Sequence, residues 1–212
     1  MKLYGYWRSS ASYRIRIVLA LKGVDYDYVP VNLLAGDQRE HDHVSRQPQG
    51  LVPAFETSNG AILTQSLAIA EYLDEVIPEP ALLPKDAVAR AHARAIAATL
   101  ACEAQPFMNL RIQKYLRKER AFSDDAMADW LGRWVGGAMK AAESLIDPDG
   151  PFAAGPMPGL ADAFIVPQVF GATRFGVDMA TMPRMQRVVD ACAALEPFQI
   201  AHPDNQPDKP AD

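Results

Sequence analysis

Three prolines, Pro78, Pro80 and Pro84, fall within residues 77–84, and the chain reads differently on either side of them. Proline fixes φ and carries no amide donor, so such a stretch neither continues a helix nor sits inside a sheet. It predicts a stiff linker over 77–86, between a first domain of residues 1–80 and a second of residues 87–212. Before the linker, strand and helix signals alternate. Residues 2–6 and 26–31 read as strands around a helix over 12–22, with Ile15, Val18 and Leu19 at helical spacing, Leu21 on the flank, and Gly23 placed to end it. Residues 34–46 show no period and predict a loop with a short helix. Two brief strands over 51–55 and 61–63 flank a turn at Ser58-Asn59-Gly60, and a helix over 67–76 follows. The order is βαβ, then ββα.

Beyond the linker every signal is helical. Residues 87–104 hold nine alanines in eighteen positions, and Pro106 must interrupt that helix. Further helices are predicted over 124–146, 161–176 and 183–195. Residues 202–212 carry Pro203, Pro207 and Pro210 without an apolar face, which predicts an extended or disordered tail.

Composition removes several function classes. A 49% hydrophobic fraction beside 22% charged residues excludes disorder for the bulk of the chain. The net charge of −5, without a basic stripe, argues against nucleic acid as a partner. The longest uncharged run, residues 57–70, is too short and too polar for a bilayer, and no apolar stretch marks a secretory leader, so the expectation is cytoplasmic. Cys102 and Cys192 stand alone and read as inert core residues rather than a disulfide or zinc site. His41, His43, His92 and His202 lack partners at metal or triad spacing, so no metal is expected and no chemistry is assigned to them.

Chemistry concentrates in three short clusters. Residues 7–14, Trp-Arg-Ser-Ser-Ala-Ser-Tyr-Arg, join the first strand to the first helix. One serine there is explained by N-capping alone; the same hydroxyls and N–H groups also suit an anion, and a thiolate is an anion. Gly50-Leu51-Val52-Pro53 precedes a strand. Its proline is ordinary at a strand start if trans, whereas a cis Val52–Pro53 bond turns the Val52 backbone toward a ligand. Gln65-Ser66 opens a helix, where Ser66 serves as a cap or shares its N–H groups with a ligand carboxylate.

These residues carry a family resemblance. The run from Ser9 through Tyr13-Arg14-Ile15-Arg16 to Gly23 resembles the N-terminal signature of zeta-class glutathione transferases, which include the maleylacetoacetate isomerases. The resemblance continues through Leu51-Val52-Pro53, Gln65-Ser66, Gln105-Pro106, Asn109, Leu160-Ala161-Asp162, Val166-Pro167-Gln168 and Arg174-Phe175, so it spans nearly the whole chain. It implies a thioredoxin-like N-terminal domain, an all-helical C-terminal domain, a homodimer, and glutathione as cofactor. By position, Ser9, Ser10 and Arg8 match catalytic positions, Ser9 being the serine that activates the glutathione sulfur. Gln38, Val52, Pro53, Gln65, Ser66, Gln105 and Asn109 match glutathione contacts. Arg8, Arg111 and Arg174 match a clamp for a dicarboxylate substrate, Arg111 through the maleylpyruvate isomerase branch; each has ion pairing or packing as its plainer explanation.

Two departures stand out. Ala11 occupies the place of a usual cysteine, so the nucleophile must come from glutathione itself. Gly159 occupies the place of a usual Thr or Ser cap, a change expected to cost little. The implied reaction is cis–trans isomerisation of maleylacetoacetate or maleylpyruvate. Thiolate addition makes the double bond single, rotation follows, and expulsion of the thiolate regenerates glutathione. Two alternatives stay open: a broader transferase acting on small α-haloacids, and a transferase-like interaction module without catalysis.

Overall fold

The computed structural model describes residues 1–210 and divides into two compact units, Met1–Ala81 with Ala194–Asp212, and Leu82–Ala193. The first unit holds a four-stranded sheet of order β2-β1-β3-β4, made of β1 (Lys2–Gly5), β2 (Asp27–Pro30), β3 (Ala54–Glu56) and β4 (Ile62–Thr64). The pair β1·β2 is parallel, whereas β1·β3 and β3·β4 are antiparallel. Side chains alternate across a strand, so the register pairs Leu3 with Phe55 on one face and Tyr4 with Ala54 on the other. Leu3 and Phe55 are fully buried, while Tyr4 and Ala54 cluster with Val31, Val29 and Val52.

Helix α1 (Ser10–Leu21) carries the centre of this unit. It packs against α3 (Ser66–Val76) and α10 (Glu196–Ala201), and every residue from Ser12 to Leu19 is buried. An amphipathic reading anticipates one buried stripe; a helix covered on more than one side must also bury its polar residues. Arg14 and Arg16 are each 1% exposed. The helix ends as Gly23 predicts, at φ +63°, with Gly23 N–H donating to Ala20 and Val24 N–H to Leu19. Just before that turn, the buried Lys22 ammonium donates to Asp74 Oδ1, Ile77 O and Pro80 O, each at 2.6 Å. All three of its protons are used, and they fasten α1 to the end of α3 and the start of the proline stretch.

The chain returns to this unit at its end. The sequence predicts residues 202–212 to be extended or disordered and the second domain to run to 212; instead residues 194–210 belong to the first unit. Helix α10 is followed by a 3₁₀ turn, Pro203–Asn205, with Ala201 and Pro203 buried. Composition concealed this, because only the scattered Phe198, Ala201 and Pro203 are buried and the remaining anchorage is through backbone and polar contacts. The last two residues of the expected tail lie outside the described residues.

The second unit is built from helices α4 (Ala87–Ala98), α5 (Leu110–Glu119), α6 (Asp124–Trp130), α7 (Gly137–Leu145), α8 (Leu160–Arg174) and α9 (Pro183–Ala193). The alanine-rich helix passes into a π-helical turn, Thr99–Ala104, then a 3₁₀ turn, Gln105–Met108, which contains Pro106. The break falls where a ring without an N–H must end the ladder. A second π-helical turn, Leu131–Gly136, divides the helix expected over 124–146. Cys102, expected in the core, is exposed; Cys192 is buried, and burial pushes its thiol up. No helix among the described residues is long and apolar enough to cross a membrane.

Helix α8 is buried almost throughout, so its start is fixed with care. The Asp162 carboxylate accepts from Gly159 N–H and Ala153 N–H, both at 2.8 Å. Burial dominates these bonds and pushes the Asp162 carboxyl up to about 6. Gly159 is not merely tolerated, because a Cβ there would lie 2.5 Å from the Leu82 carbonyl oxygen. That carbonyl cannot swing away, since it accepts from Leu160 N–H at 2.8 Å.

Lys22→Met is expected to lower the unfolding free energy by about 3–5 kcal/mol, as removal of one partner from a buried ion pair does. An unchanged denaturation midpoint would show that the three contacts contribute nothing net. Gly159→Ser, a change toward the better capping residue, is expected to destabilise by about 1–3 kcal/mol through overpacking. A rise in melting temperature would mean that the backbone moves aside without loss.

Candidate active site

The loop between β1 and α1 sets the first group of candidate functional residues. Ser9 is the N-cap of α1, with extended backbone and Oγ accepting from Ser12 N–H at 3.3 Å. An oxygen that accepts there keeps its own hydrogen to donate. Ser10 begins the helix, and its N–H is one of the first-turn donors without an intrahelical acceptor. Both serines are half-buried. Ser12 differs: it is fully buried, and its Oγ accepts from Tyr6 N–H at 3.3 Å, so it braces the loop from beneath. The Arg8 guanidinium lies 5.1 Å above the Trp7 ring, half-buried.

The second group gathers around residues 47–53, just after the short helix α2 (His41–Arg46). The Val52–Pro53 peptide bond is cis, as is Glu79–Pro80. The buried Gln47 side chain accepts from Gln49 N–H at 2.7 Å and Leu51 N–H at 3.3 Å. His43 is also buried; a carbonyl only accepts, so its Nε2 donates to Leu51 O at 2.6 Å. Neither residue was assigned a part by sequence pattern, because a polar stretch without period does not show which side chains turn inward. Gly50 sits at φ +61° with its backbone close to that of Gln38, where a Cβ would stand 3.1 Å from Gln38 O. The Gln38 Oε1 is buried and makes no hydrogen bond within the protein.

The third group begins α3. Gln65 adopts φ +69°, a left-handed conformation that a non-glycine residue holds only when its surroundings impose it. Its amide donates to Gln49 Oε1 at 2.8 Å and so joins the third group to the second. Ser66 is buried, with Oγ accepting from Arg14 at 3.2 Å. A guanidinium therefore sits at the N-terminus of α3, where the helix dipole is also positive. Within the first unit, contacts thus link Gln38 and Val52 through the 47–53 loop to Gln65, Ser66 and α1.

The remaining predicted residues belong to the second unit. Gln105 opens the 3₁₀ turn, and Asn109 caps α5 by accepting from Arg111 N–H at 3.0 Å. Arg111 is exposed. Arg174, the last residue of α8, lies 4.4 Å over the Phe175 ring.

Comparison with known proteins places this arrangement. Residues 1–75 match the family model for the glutathione S-transferase N-terminal domain. The chain is 46% identical over 213 residues to maleylacetoacetate isomerase of Pseudomonas aeruginosa, covering 100% of each. The structure superposes at a TM-score of 0.94 on holo maleyl pyruvate isomerase, a bacterial glutathione S-transferase of the zeta class, with 42% identity over 99% of this chain and 100% of that one. It superposes at 0.93 on maleylacetoacetate isomerase of Methylobacterium extorquens AM1 with bound malonate and glutathione, at 36% identity and 100% coverage of both. The first unit is the thioredoxin-like half of this fold and the second its helical half, and the chain belongs to the zeta class of glutathione S-transferases, the family of the maleylacetoacetate and maleylpyruvate isomerases.

Proposed function

We propose that this chain is a glutathione-dependent cis–trans isomerase of maleyl dicarboxylic acids, maleylacetoacetate or maleylpyruvate. The observation that carries the reading is Ser9, a capping serine whose oxygen accepts within the helix and whose hydrogen is left to donate at the α1 N-terminus. Bound glutathione supplies a thiolate, whose reversible addition to the cis double bond permits rotation to the trans isomer.

The residues present fit glutathione. The Ser9 hydroxyl and the positive end of α1 favour an ionised sulfur over a neutral one. Ser10 adds a second hydroxyl and a first-turn N–H. The orphaned Gln38 Oε1 offers an acceptor to a ligand donor. Ser66, Gln65 and the Arg14 charge at the start of α3 suit the carboxylate of the γ-glutamyl end. Val52, followed by Pro53, is assigned to the cysteinyl backbone. Arg8, one residue before Ser9, is assigned to a substrate carboxylate because a planar guanidinium binds it bidentately. The parts given to Gln105, Asn109, Arg111 and Arg174 and the homodimer rest on the resemblance, and the cytoplasmic location on the sequence pattern.

Turnover of both maleyl acids, followed by product identification without loss of glutathione, tests the reading; retention on immobilised glutathione without turnover would leave an interaction module. Ser9→Ala is expected to raise the thiol pKa of bound glutathione by about 1–2 units, as loss of a charge-assisted hydrogen bond implies. Ultraviolet titration reads this, and an unmoved pKa removes Ser9 from the role. Arg8→Ala is expected to lower kcat/KM for the maleyl acid by roughly 10- to 100-fold and to spare glutathione affinity in calorimetry. Arg8→Lys should not restore the rate, because an ammonium lacks the fork. Equal loss of glutathione binding would move Arg8 from the substrate to the cofactor.

A further inference from the structure

The short link between β1 and Ser9 fixes where the serine hydroxyl stands, so whatever holds that link also holds the hydroxyl. Ser9 N–H donates back to Tyr6 O at 3.0 Å, which makes the link a tight turn. Both backbone polar groups of Trp7, inside the turn, are held by charged side chains of opposite sign. Its N–H donates to Asp208 Oδ2 at 2.9 Å, and its carbonyl accepts from Arg16 at 2.9 Å. Each of these side chains reaches another part of the unit. Arg16 Nε donates to Ala201 O at 2.9 Å, at the last residue of α10, and Asp208 Oδ2 accepts from the Tyr28 hydroxyl at 3.2 Å. Residue 208 lies 201 positions from Trp7, in the segment expected to be a loose tail.

We propose that Asp208 is a positioning residue: through the Trp7 backbone, the C-terminal segment sets the place of the Ser9 hydroxyl and of the α1 N-terminus relative to the glutathione sulfur. The proposal rests on the reading of Ser9 given above. Two features support it. Asp208 Oδ1 is buried without a partner, so the carboxylate is desolvated to make this contact and is not a surface charge passing by. A carboxylate near a thiolate also opposes its ionisation by charge alone, so its usefulness there must come from geometry. The two effects predict opposite signs.

The experiment compares Asp208→Ala, Asp208→Asn, a chain ending at Gln206, and Ser9→Ala. Hydrogen exchange at the Trp7 amide is read in the ligand-free protein; the thiol pKa of bound glutathione, kcat and KM are read in its presence. Asp208→Ala and the shortened chain are expected to exchange Trp7 about tenfold faster or more, the factor that a lost charge-assisted bond implies. Their thiol pKa should rise and kcat should fall, with KM for the maleyl acid little changed. Asp208→Asn should stay near the parent, because its amide oxygen still accepts from Trp7 N–H. A thiol pKa that falls in both Asp208 variants would overturn the proposal in favour of a charge effect. Lower thermal stability with unchanged exchange and unchanged thiol pKa would overturn it in favour of a merely structural contact. Should Ser9→Ala also leave the thiol pKa unmoved, while Asp208→Ala speeds exchange, the Ser9 reading fails and takes the proposal with it. Should Ser9→Ala move the pKa and Asp208→Ala not, Asp208 alone is excluded. If Asp208→Ala does not fold, Tyr28→Phe, which removes the hydroxyl bound to the carboxylate, must give the same directions at smaller size or the proposal falls.

Discussion

Three cations, Arg14 and Arg16 within α1 and Lys22 at its C-terminal cap, are taken out of water and committed to separate parts of the same unit. A buried charge without partners costs several kcal/mol, so each of them pulls oxygen acceptors toward α1. Lys22 holds the end of α3 and the proline stretch, Arg14 holds the start of α3, and Arg16 holds the loop before Ser9 and the end of α10. Burial itself acts against the Arg16 charge and lowers its pKa. The acceptors it meets, a helix-terminal carbonyl and a loop carbonyl, are the groups the fold would otherwise leave unpaired. Helix α1 therefore supplies its own N-terminus to the site and also orders the neighbouring segments.

The candidate site groups of the first unit are thus braced from α1, with the C-terminal segment meeting the same loop through Asp208. Ser9 and Ser10 sit at the end of the helix whose interior is locked, and Ser66 is touched from beneath by a residue of that same helix. The loop over 47–53 is fixed independently, by the inward side chains of His43 and Gln47. Gln65 joins the two arrangements and keeps a left-handed backbone conformation that a residue with a side chain rarely adopts.

Much of this was legible in the sequence because its signals are local. The proline crowding, Gly23, the serines before α1 and the Pro106 break each express a rule about one residue and its neighbours. What escaped reading depends on what lies across the fold. Arg14 and Arg16 look like solvated arginines until α3 and α10 cover their helix, and His43 looks like a loop histidine until Leu51 O is placed beside it. Cys102 sits in an apolar, alanine-rich run yet faces outward, because it lies opposite the stripe of Ala93, Ala97, Leu100 and Ala104 that this segment buries. Gly159 could be read as a weak cap from sequence; only the Leu82 carbonyl beside it shows why a larger residue does not fit.

Ala11 gains its meaning from where the two cysteines fall. Both belong to the second unit: Cys192 is buried with its thiol pushed up, and Cys102 lies on a π-helical turn. The first unit, which carries the α1 N-terminus, thus contains no thiol of its own. A cysteine at position 11 would sit in the first turn of α1, where the helix dipole lowers thiol pKa, and would compete with a bound sulfur for the same donors. With alanine there, the protein brings no thiol to the first-turn N–H groups and the Ser9 hydroxyl, and in the proposed reaction the sulfur is the one glutathione supplies. Alanine at this place removes a competing nucleophile and a site of oxidation while keeping the helical backbone, so in the proposed reaction the chemistry at this helix end depends wholly on glutathione.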